Sequence, residues 1–232
     1  MELCQGHAVI SIIMPVLNEA PSIVSALEHV FSLEGAFEVI VVDGGSTDGT
    51  VDLGSGYAQV LHGPRGRARQ MNLGAAQARG DILLFLHADT RLPQGAIASV
   101  ENALSDTKVV GGRFMLRLSD PGWAYRLIAF TINLRDRLLR GFTGDQAIFV
   151  RAEVFRALGG YREEPLMEDL DFGERLAKAG KIVRLSLKVT TSSRRWEKDG
   201  VAKTIFLMWT LRLLYALGFP PSRLKRFYGE IR

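Results

Sequence analysis

Short apolar runs that alternate with amphipathic segments constrain the fold of this chain more than any other feature. Residues 9–14 form a nearly unbroken apolar run rich in β-branched residues, which is typical of a strand buried on both faces. From Pro21 onward, apolar residues recur at the spacing of one helical face. Residues 37–42 and 82–86 repeat the strand pattern, with a helical segment at 67–79 between them. The alternation predicts an α/β fold with a mostly parallel sheet and helices on both faces.

The second half of the chain is less regular but continues the same kind of pattern. We expect strands at 109–118, 146–150 and 182–189, and helices at 123–139, 168–179 and 201–217. The strand at 109–118 is long, and an antiparallel orientation is one option for it. A length of 232 residues without an internal repeat or a linker fits a single domain.

Composition and charge exclude several classes of protein. Hydrophobic residues make up 47% and charged residues 23% of the chain, as in globular domains and unlike disordered or fibrous proteins. The single cysteine, Cys4, cannot form an internal disulfide, so the fold needs no oxidising compartment. From Arg194 onward, nine Lys/Arg face three Asp/Glu, whereas residues 1–193 carry a net charge of −2. This distribution predicts no nucleic-acid partner and favours an anionic membrane surface or an acidic partner for the tail.

No segment has the pattern of a secretion signal or of a membrane-spanning helix. The N-terminal apolar run at residues 8–17 has no basic region before it and is interrupted by Pro15. The longest later run, residues 205–219, contains Arg212 and is shorter than the roughly 20 residues that a spanning helix needs. We therefore expect a cytoplasmic protein, with peripheral contact at the inner face of the membrane as an alternative.

Polar clusters follow three of the predicted strands. Asn18 and Glu19 come after the first strand, Asp43 after the second, and residues 87–89 after the strand at 82–86. Each carboxylate alone is equally typical of a helix cap or an Asx-turn. Because open α/β sheets bind ligands at the carboxyl ends of their strands, the convergence of three clusters on one edge predicts a ligand site.

These clusters belong to an ordered set of motifs that resembles the family 2 glycosyltransferases, which have the GT-A fold. The motifs are Pro15-Val16-Leu17-Asn18-Glu19, Val41-Val42-Asp43-Gly44-Gly45-Ser46-Thr47-Asp48-Gly49-Thr50, Asn72-x-Gly74, Gly80-Asp81, His87-Ala88-Asp89, Gly144-Asp145-Gln146 and Glu168-Asp169. The resemblance covers residues 9–180 and implies a Rossmann-like, mostly parallel twisted sheet with helices on both faces. It implies one domain over 1–232, with a nucleotide-sugar half at 1–90, an acceptor half at 91–193 and a basic, apolar tail at 194–232.

The resemblance implies an inverting enzyme that moves a sugar from a nucleotide-diphosphate sugar to an acceptor hydroxyl. The reaction needs a nucleotide pocket, a divalent cation at the diphosphate, a carboxylate base and a cleft that aligns the acceptor. Asp43 matches the family residue that accepts a hydrogen bond from the base. The positions assigned to the nucleotide-sugar pocket are Pro15, Leu17, Asn18, Glu19, Asp43, Arg67, Gln70, His87, Ala88 and Asp89.

The predicted metal site departs from the family pattern at one position. Asp89 matches the last Asp of the family's Asp-x-Asp motif, the usual ligand of Mn²⁺ or Mg²⁺, but His87 stands where the family has its first Asp. An imidazole can ligate Mn²⁺ or bond a ribose hydroxyl, and simple packing beside the pocket is an equal alternative. The sequence predicts a divalent-cation site at Asp89 and His87, with Mn²⁺ and Mg²⁺ both open.

The candidate catalytic residues open a predicted helix. Asp169 matches the second residue of the family's Glu-Asp pair, which implies the general base, and Glu168 would orient the acceptor or hold the helix start. The structural alternative is that both carboxylates only interact with the helix dipole, worth roughly 0.3–1 kcal/mol each.

The acceptor side rests on a second group of residues. Gly144, Asp145 and Gln146 match the family's acceptor-side motif, and Trp196 belongs to an Arg-Trp element similar to that of processive members. Trp196 would stack on a sugar or simply pack. The acceptor remains open among a small molecule, a lipid and a glycan. The chain also resembles a small bacterial branch associated with arsenosugar biosynthesis.

The sequence leaves the role of the C-terminal helix and two alternative functions open. The apolar, basic C-terminal helix at 201–217 fits a membrane face, a homodimer interface or burial against its own sheet. A nucleotide-sugar-binding module without catalysis and a nucleotidyltransferase are the alternative functions. The second of these needs a Gly-rich, basic loop after the first strand, which residues 15–19 do not provide.

Overall fold

The computed structural model describes residues 9–139 and 142–228, so Cys4 lies outside the described residues. The strands are β1 (Ile10–Val16), β2 (Phe37–Asp43), β3 (Gln59–His62), β4 (Ile82–Phe85), β5 (Thr90–Arg91), β6 (Val109–Leu118), β7 (Phe149–Arg151) and β8 (Lys181–Thr191). The helices are α1 (Ala20–Phe31), α2 (Thr50–Ser55), α3 (Arg67–Gln77), α4 (Ala96–Ser105), α5 (Trp123–Leu139), α6 (Ala152–Ala157), α7 (Glu168–Ala179), α8 (Arg194–Asp199), α9 (Val201–Ala216) and α10 (Pro221–Leu224). Two 3₁₀ turns span Gly144–Gln146 and Lys225–Phe227.

Within the described residues, the strands form one sheet in the order β3-β2-β1-β4-β7-β6-β8-β5. β1, β2, β3 and β4 pair in parallel, and so do β6 and β8. β7 is antiparallel to both of its neighbours, and β5 is antiparallel to β8. Six of the eight strands therefore run in one direction, which confirms the mostly parallel α/β sheet. β6 is antiparallel only to β7 and runs in the same sense as β1.

Apolar side chains cover both faces of this sheet because residues alternate along each strand. Ile12 of β1 packs on one face in a core that α1 and α4 complete. Ile13, its neighbour, packs on the opposite face with residues of α3 and α7. The expected helices on both faces are confirmed, and the two cores hold the carboxyl ends of β1, β2 and β4 in fixed positions.

A close contact at Gly80 ties α3 and β4 to β1. A Cβ at Gly80 would lie 2.3 Å from the backbone oxygen of Val9, so a glycine is required there. The Gly80 N–H donates to the hydroxyl of Ser11 at 2.9 Å, and this hydroxyl donates to Glu38 at 2.6 Å. The glycine of the Gly80-Asp81 motif thus has a packing role.

Several boundaries differ from the sequence prediction. The strand expected from residue 146 begins at Phe149, because Gln146 closes the 3₁₀ turn before it. β3 was not predicted, since its four residues lie at the sheet edge and have no buried apolar run. α2 and α4 were not predicted either.

The C-terminal helix α9 is only lightly attached to the rest of the fold. It buries Thr204 and Leu211, and Leu211 packs with Leu166 and Leu224 in a small separate cluster. Most of its other apolar side chains are exposed. No helix in residues 9–139 and 142–228 is long and apolar enough to cross a bilayer. A dimer interface on α9 stays a prediction.

Candidate active site

A cavity of about 1110 Å³ opens at the carboxyl ends of β1 and β4. Its walls come from the loops after these strands, the first turns of α3 and α7, the 3₁₀ turn Gly144–Gln146, and helices α5, α8 and α9. The predicted site residues that line it are Pro15, Leu17, Asn18, Glu19, Arg67, Gln70, His87, Ala88, Asp89, Gly144, Asp145, Glu168, Asp169 and Trp196. Asp43 and Gln146 are the predicted residues that do not line this cavity.

The loop after β1 is held by the loop after β2. Asn18 has a left-handed backbone with a φ of 52°, its N–H donates to Ser46 Oγ at 2.8 Å, and its Oδ1 accepts from the Thr47 N–H at 2.9 Å. Asp48 accepts from the Ala20 N–H at 3.0 Å. Because these bonds cross between the two loops, the Asn18–Glu19 corner of the cavity is rigid before any ligand binds.

Asp43 and Gln70 are buried beneath this corner. The Asp43 carboxylate accepts from the Gly45 N–H at 2.8 Å and also bonds the Ser46 hydroxyl. The Gln70 side-chain amide donates to the backbone oxygens of Val16 and Val42, at 2.7 and 2.8 Å. Both residues therefore organise the ends of β1 and β2. A role of Asp43 in base recognition stays a prediction.

Arg67 brings a positive charge into the cavity at the start of α3. Its side chain is exposed to the cavity and lies close to the acidic residues Glu168, Asp145 and Asp89. The cavity walls remove part of the water around the charged guanidinium and disfavour it, but electrostatic attraction by Tyr228 and these carboxylates outweighs that cost and raises the pKa of Arg67. The guanidinium is therefore a permanent cation at a helix N-terminus, an arrangement that suits a diphosphate.

His87 lies against the 3₁₀ turn of the opposite wall. Its Nδ1 is 3.2 Å from Asp145 Oδ1, and its ring covers Gly144 so closely that a Cβ there would lie 2.9 Å from Cε1. The imidazole is thus oriented by Asp145 and by a residue without a side chain. The structure brings His87 to the predicted site and gives it a carboxylate partner.

Asp89 sits among carboxylates and the guanidinium groups of Arg194 and Arg67. Nη2 of Arg194 lies 3.8 Å from Asp89 Oδ2 and 3.6 Å from Glu19 Oε2. Burial raises the pKa of Asp89, the nearby carboxylates of Asp145 and Glu19 raise it further, and His87 and Arg67 counteract this effect. The ionised form of Asp89 is therefore disfavoured unless a further cation approaches.

The Asp89 carboxylate fits a divalent cation whose other ligands are oxygens of a bound phosphate or of water. Residues 9–139 and 142–228 contain no cluster of three or more His, Cys, Asp or Glu able to hold a metal by themselves. The carboxylate of Asp89 is open to the cavity, whereas Nδ1 of His87 is already paired with Asp145. Hard cations such as Mg²⁺ and Mn²⁺ accept phosphate and water oxygens for their remaining positions.

Glu168 and Asp169 begin α7, directly after the left-handed residue Met167, whose φ is 68°. Oδ2 of Asp169 accepts from the Gly144 N–H at 2.7 Å, and its Oδ1 accepts from the Leu170 N–H at 2.8 Å. Burial and the neighbouring Asp169 raise the pKa of Glu168 above its ordinary value. Strained backbone at such a position is typical of functional sites.

Gln146 is a correction to the predicted acceptor side. It is fully buried, and its side-chain amide donates to Asp136 Oδ2 at 2.9 Å while its oxygen accepts from the Thr143 N–H at 3.2 Å. Gln146 therefore supports the 3₁₀ turn that carries Gly144 and Asp145, and it does not face the cavity.

Sequence reasoning missed several cavity residues. Arg135 of α5 and Arg212 of α9 line the wall opposite the sheet, and the buried ring of Tyr161 lines the floor. Arg194 was noted only as part of an Arg-Trp element. A lone arginine within an apolar helical run, as at Arg212, is the one signal in the sequence that points to such a residue.

Two solved structures that share this fold were determined with a nucleotide sugar bound. The mannosyltransferase PcManGT from Pyrobaculum calidifontis, in complex with GDP-Man and Mn²⁺, superposes with a TM-score of 0.64 at 21% identity, over 80% of this chain and 57% of that one. TarS 1-349 of S. aureus, in complex with UDP-GlcNAc, superposes with the same TM-score at 18% identity, over 79% of this chain and 58% of that one. The chain thus spans a little over half of each. The fold is the GT-A fold of glycosyltransferases.

Sequence comparison then gives the family. The profile of Glycosyl transferase family 2 matches residues 11–160. A PGL/p-HBAD biosynthesis glycosyltransferase of Mycobacterium tuberculosis is 31% identical over 210 residues, which cover 84% of this chain and 79% of the relative. Glycosyltransferase AglE of Haloferax volcanii is 29% identical over 168 residues, covering 66% of this chain and 55% of the relative. The chain belongs to glycosyltransferase family 2.

Proposed function

We propose that this glycosyltransferase moves a sugar from a nucleotide-diphosphate sugar to an acceptor hydroxyl with inversion at the anomeric carbon. The observation that carries the proposal is the position of Asp169, whose carboxylate is fixed by the Gly144 N–H at 2.7 Å on the wall of a large cavity. The same cavity holds a cation at Arg67 and a carboxylate cluster at Asp89. The proposed base Asp169, a guanidinium suited to an anion (Arg67) and a carboxylate suited to a cation (Asp89) therefore line one cavity.

The donor would lie at the sheet side of the cavity. Its diphosphate would approach Arg67 and the N-terminus of α3, while its nucleoside would lie along the Asn18–Glu19 corner. Asp89 would hold a divalent cation that neutralises charge on the departing diphosphate. Relatives of the same fold bind GDP-mannose with Mn²⁺ and UDP-GlcNAc, so guanine and uracil are the first bases to test.

Asp169 would carry out the proton transfer. Its oxygen accepts the proton of the acceptor hydroxyl as the acceptor oxygen bonds to the anomeric carbon. The bond from that carbon to the diphosphate oxygen breaks at the same time, and its electron pair leaves with the nucleoside diphosphate. Burial and the neighbouring Asp169 raise the pKa of Glu168, so a second full negative charge beside the base is disfavoured.

The apolar faces of α5 and α9 support peripheral contact with an anionic membrane surface. Trp123, Phe130 and Phe206 are exposed there, and the basic Arg126 and Lys203 lie on the same two helices. This pairing of apolar and basic side chains is typical of helices at a lipid interface. Assignment to the arsenosugar-associated branch stays a prediction.

The test is thermal melting of the protein with UDP-, GDP-, dTDP- and CDP-sugars, each with Mn²⁺, Mg²⁺ or a chelator. A ligand at 100 times its Kd should add roughly 2.7 kcal/mol of stability and raise the midpoint by several degrees. We expect one nucleotide class to do so, with a larger shift in the presence of metal. Products of that donor, analysed by NMR, should have the inverted anomeric configuration. A retained configuration, or no shift with any donor, contradicts the proposal.

A further inference from the structure

Two arginines, Arg135 of α5 and Arg212 of α9, lie on the cavity wall that faces away from the donor side. The Nε of Arg135 donates to Asp136 Oδ1 at 2.8 Å, and this pair belongs to the network that holds Gln146. Arg212 makes no hydrogen bond and no ion pair with any residue in 9–139 or 142–228, and it is half-buried on the cavity wall. Its guanidinium therefore keeps its donors for a ligand.

Around this pair, the guanidinium groups of Arg113, Arg135, Arg184 and Arg212 face the carboxylates of Asp136, Asp145 and Asp169, which leaves a small excess of positive charge. Arg135 pairs with the buried carboxylate of Asp136 at 2.6 Å, and the guanidinium of Arg113 lies near Asp136, Arg135 and Arg184. Nε of the buried Arg113 has no hydrogen-bond partner, and its guanidinium packs 4.5 Å from the ring centre of Phe142. Buried charges of one sign cost free energy unless an opposite charge compensates them. An anion in the cavity would supply that compensation.

Arg212 lies at a position suited to contact with the acceptor substrate. Burial lowers the pKa of Arg212, the adjacent charge of Arg135 lowers it further, and the carboxylates of Asp169, Asp136 and Asp145 counteract this effect. Arg212 thus lies within electrostatic reach of the proposed base Asp169. Its neighbours differ from those of Arg194, which lies between Glu19 and Asp89 on the donor side.

The walls around the arginine pair are apolar. α5 contributes Leu127 and Ile128 to the cavity, and α9 contributes Ile205, Met208 and Trp209. Trp123 and Trp209 line the cavity where these walls reach the surface, and their side chains are 80% and 59% exposed. The apolar path therefore leads from the arginine pair to the surface of the protein.

We propose that Arg135 and Arg212 bind the anionic headgroup of an amphiphilic acceptor, with its apolar chain lying between α5 and α9. The inference rests on the proposed transferase function and names the class of its acceptor. The excess of positive charge favours a phosphate or carboxylate headgroup, since guanidinium groups bind both in bidentate geometry. The apolar path selects a lipid chain over a free sugar, because burying apolar surface favours its binding.

Tryptophan fluorescence provides a direct measurement. The chain has three tryptophans, and Trp123, Trp196 and Trp209 all line the cavity. Farnesyl phosphate, titrated below its micelle concentration in the presence of a chelator, should change their emission and saturate. Farnesol and inorganic phosphate, each lacking one half of the probe, should bind at least tenfold more weakly. Equal binding of farnesol or of inorganic phosphate would overturn the proposal.

Variants separate the headgroup contact from general charge effects. Arg212→Gln should weaken farnesyl phosphate binding at least tenfold and leave farnesol unchanged, and Arg135→Gln should act in the same direction. Lys178→Gln removes the same charge from an exposed position of α7 that does not line the cavity and should have no effect. Because Arg212 makes no hydrogen bond or ion pair with residues 9–139 or 142–228, its variant should also melt close to the wild type. Unchanged farnesyl phosphate binding in Arg212→Gln refutes the proposed site.

Thermal melting of the protein with nucleotide sugars distinguishes a failure of this inference from a failure of the proposed function. If a nucleotide sugar stabilises both the wild type and Arg212→Gln while farnesyl phosphate fails to bind, only the acceptor class is wrong. If no nucleotide sugar stabilises the wild type, the transferase proposal itself fails.

Discussion

The N–H of Gly144 donates a 2.7 Å hydrogen bond to Asp169 Oδ2, across 25 residues of sequence. The opposite side of the same glycine lies under the ring of His87. One residue without a side chain therefore sets both the position of the proposed base and that of an imidazole in the donor half. The positions of the proposed base Asp169 and of His87 therefore depend on each other through Gly144.

Replacing Gly144 tests this link. In Gly144→Ala, the new Cβ would lie 2.9 Å from His87 Cε1 and 3.0 Å from Nε2, so the ring has to move. We expect a loss of about 1–3 kcal/mol in the free energy of unfolding and at least a tenfold fall in kcat/KM. Urea denaturation and initial rates measure the two effects.

Gly56→Ala is the matched control, because a Cβ at Gly56 meets only an ordinary contact of 3.7 Å. It should change neither quantity. Wild-type activity in Gly144→Ala would show that the ring position is irrelevant to transfer.

A pair of neighbouring aspartates separates catalysis from stability. Asp169→Asn keeps an oxygen for the Gly144 N–H but loses the proton acceptor and the acceptor of the Leu170 N–H. The value of kcat should therefore fall by about 10²–10⁴, with a smaller change in stability than in Asp171→Asn. Asp171 instead bonds Arg162 and Arg175 at 2.8 Å each.

Asp171→Asn should therefore lower the free energy of unfolding by about 1.5–3 kcal/mol and leave kcat of the folded enzyme near wild type. Initial rates and chemical denaturation of both variants give the comparison. A stable Asp171→Asn with lost catalysis, beside an active Asp169→Asn, would reverse the assignment.

The pH dependence of stability should reveal Glu168. Burial and Asp169 raise its pKa above the ordinary value of 4.5, so the folded protein retains this proton at pH values where the unfolded chain has lost it. The free energy of unfolding therefore falls as pH rises from about 4.5 through the raised pKa, and then levels off.

Glu168→Gln removes this penalty. We expect its melting temperature to exceed that of the wild type at pH 7.5 and to match it at pH 4, where both side chains are neutral. The same difference at every pH would show that ionisation of Glu168 is not involved.

The dependence of activity on Mn²⁺ should change when Asp89 is replaced. Asp89→Asn removes the carboxylate that is open to the cavity, and we expect the Mn²⁺ concentration for half-maximal activity to rise at least tenfold. Asp81→Asn carries the same change at an exposed position before β4 and should retain the wild-type value. Unchanged Mn²⁺ dependence in Asp89→Asn would place the cation elsewhere.

Much of the fold and one side of the site could be predicted from the sequence, because they depend on local patterns. The apolar runs of β1, β2 and β4 end at the residues that line the cavity or lie beneath its edge, and Glu168 does begin α7. Asp43 and Gln146 are polar like their motif neighbours, so no local pattern distinguishes them from residues that line the cavity. The structure shows that Asp43 accepts hydrogen bonds from its own turn and that Gln146 donates to Asp136.

The sequence by itself determined the α/β alternation, the family and the places where carboxylates follow strands, since these arise from period-2 and period-3.6 patterns and short motifs. Only the tertiary structure decided that Arg135 and Arg212, 77 residues apart, face the same cavity as Asp169. The packing of α5 and α9 brings them together, and contacts between distant helices depend on packing that no local periodicity encodes.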